Sequence, residues 1–172
     1  MADASLPRVE HLAKPLALFE LRPVAWVGGA MDQHTRLLQR HRASDQHYFQ
    51  WFEQQALVAW LQAQARPALV IGHSYGACTA AAVVASGIAV AELVTIDPVS
   101  WRKPSGPAVR RYAGHWRNYL AGDQRLNWAN LVAKVGGQWQ QWPAQYAHQH
   151  QILAADHATV VAAVLQLWRQ GN

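Results

Sequence analysis

Gly72-His73-Ser74-Tyr75-Gly76 is a complete Gly-x-Ser-x-Gly, set between the apolar run Ala68–Ile71 and the small-residue stretch Tyr75–Ala85. A strand that turns sharply into a helix would hold a serine hydroxyl at the tip of the turn, with glycines letting strand and helix close around it. The helix N-terminus behind Ser74 would favour negative charge developing there. A serine hydroxyl is a poor nucleophile until a base takes its proton. Of the nine histidines, only His115, His148, His150 and His157 follow both Ser74 and the first acid candidate. His157 is the expected base, because it sits in Ala-Ala-Asp-His-Ala-Thr immediately before a helical pattern. There the helix dipole disfavours imidazolium and helps keep the ring neutral.

The acid that orients such a ring is expected at Asp97, which ends the strand-like Glu92–Ile96 and is followed by Pro98. Asp123 is the alternative acid, and Asp156 is read as a cap of the last helix. A tetrahedral intermediate needs backbone donors. One is expected from the amide of Tyr75. The other is expected from the loop Gly28-Gly29-Ala30-Met31-Asp32, with Ala30 the first choice and Met31 the second. His73, inside the turn, is read as a packing or hydrogen-bonding residue.

Other chemistry-bearing residues read as bland. His148 and His150 alternate like two ligands on one strand face, but no third ligand accompanies them, so surface histidines are expected and no metal site. Cys78 cannot form an intrachain disulfide, being the one cysteine, and reads as a small buried residue. Arginine supplies 12 of the 15 basic residues, and the net charge is +5. The basic residues are scattered, with no run of four and no nucleic-acid motif, so no nucleic-acid partner is expected. Among the nine tryptophans, Trp26, Trp51 and Trp168 are expected in the core. Trp139 and Trp142 are expected in a loop, lining a pocket or touching a partner.

The elements that must position these residues alternate along the chain. Pro23–Gly29 reads as a buried strand stopped by two glycines, and His47–Trp51 as a second. Glu53–Ala65 reads as a helix, Ala68–Ile71 as a central strand apolar on both faces, and Tyr75–Ala85 as a small-residue helix. Glu92–Ile96 is a further strand. Residues 101–111, with Pro104 and Pro107 among basic residues, read as a loop. His115–Leu120 and Gln145–Ile152 are weaker strand candidates, and Ala158–Arg169 is a closing helix. This alternation predicts an α/β fold: a three-layer sandwich with a mostly parallel central sheet, as a single domain over residues 1–172. Gly28-Gly29, Gly72–Gly76 and Asp97-Pro98 all fall where strands end, the place where ligands bind in such sheets.

On these residues the chain resembles the α/β-hydrolase superfamily, most nearly its lipase and esterase branches. Gly72-His-Ser-Tyr-Gly-Ala77 looks like the lipase nucleophile signature. Thr95-Ile-Asp-Pro98 looks like the strand end where pancreatic-type lipases carry their acid. Gly29-Ala-Met-Asp32 is similar to the loop those lipases use for the oxyanion hole, with Gly28 standing where many relatives have histidine. The resemblance runs from about Pro23 to His157. It implies a compact member without edge strands or a separate cap domain, in which residues 101–143 are free to fold over the site.

The expected activity is hydrolysis of a small-molecule carboxylic ester or thioester through an acyl-enzyme on Ser74, with no cofactor or metal. The competing readings are transfer of the acyl group to another acceptor, and an idle hydrolase-like scaffold that binds protein or lipid through a tryptophan-rich, basic surface. No run of apolar residues is long enough for a span and no basic segment leads into an apolar one near the start. Stable membrane insertion and a secretory signal are therefore not expected, and the expected location is cytoplasmic.

Overall fold

Strands that are apolar on both faces can only lie inside a sheet covered on both sides. In the computed structural model, which describes residues 22–123 and 125–170, this is where they lie. Six strands, β1 (Val24–Gly28), β2 (His47–Gln50), β3 (Leu69–His73), β4 (Val90–Ile96), β5 (Ala113–Ala121) and β6 (Gln149–Leu153), form one sheet in the order β2-β1-β3-β4-β5-β6. Every neighbouring pair is parallel. The helices are α1 (Asp32–Thr35), α2 (Gln54–Gln62), α3 (Tyr75–Ala85), α4 (Gly106–Tyr112), α5 (Trp128–Val135) and α6 (Val160–Gln170).

Alternate strand residues feed two cores. Ala25, Val27, Val70 and Leu93 pack with Leu57 of α2, Val84 of α3 and Val109 of α4. Val24, Trp26, Ile71 and Ile96 point the other way, onto Val160, Val161 and Val164 of α6. The result is the expected three-layer α/β arrangement, with every strand pairing parallel. After β1 the chain moves outward to β2 and returns to β3 on the other side of β1. That reversal opens a crevice beyond the carboxyl ends of β1 and β3. No helix among the described residues is long and apolar enough to cross a membrane.

Several expectations need correction. The stretch 101–111 is not all loop, because residues from Gly106 form α4. Ser105 caps it through its hydroxyl, which accepts from the Ala108 amide, and Pro107 lies in the first turn, where a missing N–H costs nothing. Nor do residues 101–143 form a flap, since they supply α4, the fifth strand and α5. Trp139 is fully buried in the core beneath the sheet and meets Trp142 edge-on at 4.8 Å. Trp51 was expected inside and is 39% exposed, with its ring 5.6 Å from that of Tyr75.

Candidate active site

The turn from β3 into α3 is built by close approach. A Cβ on Gly72 would lie 2.6 Å from Cα of Ala77, and one on Gly76 would lie 2.1 Å from the carbonyl oxygen of Val27. Glycine at both positions therefore lets α3 start hard against β3 and β1. Ser74, between them, has φ 56° and ψ −128°. Such a conformation costs a non-glycine residue about 1–3 kcal/mol and persists only where its surroundings hold it. Here the Ser74 amide donates to Ile96 O at 3.0 Å, and its carbonyl accepts from Ala77 at 3.1 Å and Val99 at 3.2 Å.

His157 lies 83 residues further on, in the loop after β6, yet its Nε2 is 3.1 Å from Ser74 Oγ. Its Nδ1 is 2.6 Å from Asp97 Oδ2. A carboxylate offers only acceptors, so Nδ1 carries the proton and Nε2 presents a lone pair to the serine hydroxyl. Asp97 is fully buried and has φ 42°. Its second oxygen, Oδ1, accepts from the Ala121 amide at 3.0 Å and from Gln138 Nε2 at 2.7 Å. Gln138 reaches it because Pro98–Ser100 runs antiparallel to Gly137–Trp139, with Trp139 N donating to Pro98 O at 2.8 Å and Ser100 N to Gly137 O at 3.0 Å.

The alternative acids are engaged elsewhere. Asp123 pairs with Arg125 at 2.5 Å beyond the end of β5, and that pairing lowers its pKa. Asp156 Oδ1 accepts from the amides of Ala158 at 3.0 Å and Thr159 at 2.9 Å, capping the turn into α6. Of the other histidines, His148 Nδ1 accepts from the Trp116 amide at 2.9 Å, and His150 Nδ1 accepts from Asn118 Nδ2 at 3.1 Å. Both are on β6 or its approach, and no group of three metal-ligating side chains occurs among the described residues.

Two polar residues fix the histidine loop. Asn130 of α5, buried, accepts the His157 amide on Oδ1 at 3.0 Å and donates Nδ2 to the carbonyls of Asp123 and Arg125, both at 2.8 Å. The His73 ring lies against that of His157, tilted by 31° with centroids 4.8 Å apart, and its Nε2–H donates to the His157 carbonyl at 3.1 Å. Burial first, and the neighbouring His157 second, lower the pKa of His73 to about 4. Folded His73 thus protonates near pH 4, against 6.5 for an ordinary histidine, so the unfolded chain binds the extra proton in between. Stability should therefore be intact above that window and fall as pH drops through it, by up to about 3 kcal/mol. Urea unfolding followed from neutral pH downward should show this decline, and His73→Gln should flatten it. An equal decline in both proteins would assign the acid sensitivity to other groups.

The loop after β1 closes the crevice. Gly29 lies so near the turn that a Cβ there would be 2.8 Å from Ser74 Cβ. Ala30 and Met31 follow it on the exposed side, and the Asp32 amide closes the turn on Gly29 O at 3.0 Å. The buried Asp32 carboxylate holds the loop, accepting from Leu38 N at 2.8 Å, Gln39 N at 3.2 Å and the Tyr48 hydroxyl at 2.5 Å. Burial and Asp32 raise the pKa of that phenol, which stays a donor. The Tyr48 hydroxyl fills the space over Gly28, where a Cβ would approach it to 1.9 Å, so a side chain at this position would have to displace Tyr48 from Asp32. Tyr75 is the first residue of α3, where the helical ladder offers its amide no acceptor. Gln138, Asn130 and Tyr48 carry no sequence signal that marks them as parts of the site, whereas Asp32 belongs to the loop expected to supply the oxyanion donors.

No protein-family model and no curated protein sequence matches the chain. Among solved structures, it is similar to the esterase domain of a Rhodothermus marinus protein, with a TM-score of 0.51 and 18% identity over 87% of this chain and 86% of that one. A thioesterase domain from the curacin biosynthetic pathway aligns with a TM-score of 0.49 and 10% identity, over 87% of this chain and 90% of its own. The likeness to the esterase domain is one of architecture, and it agrees with the sheet order and helix placement described above: the chain has an α/β-hydrolase-like fold.

Proposed function

We propose that this protein is a serine hydrolase that cleaves a carboxylic ester or thioester through an acyl-enzyme on Ser74. The observation that carries this reading is the hydrogen-bonded chain Ser74 Oγ–His157 Nε2, 3.1 Å, and His157 Nδ1–Asp97 Oδ2, 2.6 Å, at the tip of a strained strand-to-helix turn. Ser74 Oγ attacks the carbonyl carbon while His157 Nε2 takes the hydroxyl proton. Asp97 orients the ring and stabilises the cation it becomes. The oxyanion is held by the amides of Tyr75 and of Ala30, with Met31 the other donor available in the same turn. Collapse of the tetrahedral intermediate breaks the bond to the alkoxide or thiolate, which leaves with the proton from His157. Water, deprotonated by the same nitrogen, then attacks the acyl-serine and releases the carboxylic acid.

A fluorescent fluorophosphonate probe tests this directly, because it phosphonylates only an activated serine. Wild-type protein is expected to label, Ser74→Ala to lose all label, and His157→Ala to label on the order of 10³-fold more slowly. Absence of labelling in a wild type that is folded by circular dichroism would refute the proposal. Esters and thioesters of increasing acyl length would then define the substrate.

A further inference from the structure

Helix α5 keeps its smaller residues inside and its largest apolar side chains outside. In an ordinary surface helix the apolar stripe faces the core. In α5 the buried residues are Asn130 and Ala133, while Trp128 is 75% exposed, Val135 67%, and Leu131 is exposed between them. The spacing i, i+3, i+7 aligns these three on one face. Trp101, 76% exposed, extends the same surface, since its indole N–H donates to Val135 O at 3.0 Å. Large exposed apolar side chains set singly need no explanation, but a contiguous group of four does.

The charges at the Trp101 and Val135 end of this face are basic, while the acids near its Trp128 end are engaged, Asp156 by Asn127 at 3.1 Å and by the turn into α6. Arg102 and Lys103 follow Trp101, Lys134 precedes Val135, and all three are exposed. The only acid between residues 98 and 155 is Asp123, and it is held by Arg125. None of the ion pairs among the described residues involves Arg102, Lys103 or Lys134. A second copy of the chain is a poor occupant, because a two-fold contact would set these cations against their own counterparts. Tryptophan is favoured where an apolar phase meets water, and lysine and arginine beside it are attracted to an anionic surface.

We propose that the face formed by Trp101, Trp128, Leu131 and Val135 docks on the surface of an anionic lipid bilayer, with Arg102, Lys103 and Lys134 at the headgroups. The protein would lie on the membrane and not span it. The same helix touches the crevice at two points, through Asn130 to the His157 amide and through the Gly136 carbonyl, which accepts from the Tyr75 hydroxyl at 3.4 Å. Docking would therefore engage a helix that also holds the His157 loop.

Co-sedimentation with vesicles of phosphatidylcholine, with and without added phosphatidylglycerol, tests this independently of any activity. The whole protein should sediment with the anionic vesicles and much less with the neutral ones, and high salt should release it. Lys134→Gln should weaken binding roughly fivefold, as should Arg102→Gln. Trp101→Ala combined with Trp128→Ala should weaken it by on the order of tenfold or more. These side chains point outward, so circular dichroism and the unfolding midpoint should stay near wild type, and a loss of fold would be seen there. Failure to bind anionic vesicles would overturn the proposal and leave the face to a protein partner. Binding that survives the double tryptophan variant would overturn it as well, as would a dimer in gel filtration that the same variant dissolves.

Discussion

Asp97→Asn is expected to lower kcat on the ester or thioester that proves best by about 10⁴-fold, with little change in KM. The size follows from which way the new amide must face. Asp97 Oδ1 accepts from two donors, the Ala121 amide and Gln138 Nε2, while Oδ2 accepts from His157 Nδ1. Gln138 can turn its amide over, but the backbone N–H of Ala121 cannot turn, and a buried clash of two donors costs more than a lost bond. The asparagine oxygen is thereby fixed toward Ala121, and its NH2 is aimed at His157. The imidazole can accept that hydrogen bond only by moving its own proton to Nε2. It then donates to Ser74 when it should accept, and the hydroxyl has no base. Asp123→Asn is the matched control, since its exposed pair with Arg125 contributes little and kcat should stay within about twofold. Steady-state kinetics on both variants decide the matter. The opposite ranking would place the acid at Asp123 and discard the assignment of Asp97.

The parts of this molecule that were legible in the sequence are those where a local rule and the tertiary role coincide. Residues 68–71 are apolar on both faces because β3 is central and covered twice, and the glycines around Ser74 mark a turn wherever they occur. His157 was recognisable from its place before a helix, and the fold then brought it across 83 residues to Ser74. The misread parts are those where tertiary context reversed a local signal. Pro107, read as a loop residue, lies in the first turn of α4. The segment that forms α5 turns its smaller residues Ala129, Val132 and Ala133 inward beside Asn130 and leaves the larger Trp128, Leu131 and Val135 outside, so hydrophobicity alone does not tell its inner face. Gln138 and Asn130 are single amides whose importance lies wholly in what stands opposite them, Asp97 and the His157 backbone. Nothing in Gly-Gly-Gln-Trp or Trp-Ala-Asn-Leu announces that. Tyr48 is of the same kind: it explains Gly28 only once β2 is known to lie beside β1.

Gly76→Ala should be the most damaging single methyl in the chain, and its effect separates steric from conformational demands on glycine. Its Cβ would lie 2.1 Å from Val27 O and 2.6 Å from Gly28 O, both backbone atoms of the central strand β1. Neither can move without breaking the pairing of β1 with β2 and β3, so α3 must shift outward as a body. That motion pulls the helix from Val27, Val70 and Leu93 and drags Ser74 away from His157 and Gly29. Overpacking without relief of this kind is expected to cost at least about 3 kcal/mol, a large share of a domain's total stability. Gly87→Ala provides the contrast. Gly87 has φ 107°, but a Cβ there would meet nothing nearer than the Tyr112 ring at 3.9 Å. Only backbone strain opposes that methyl, so the cost should be about 1–2 kcal/mol and the geometry around Ser74 should survive. Urea unfolding of the two variants beside wild type measures the first difference, and fluorophosphonate labelling at matched folded fraction measures the second. Equal destabilisation by the two methyl groups would mean that α3 does not sit against β1 as closely as the turn around Ser74 requires.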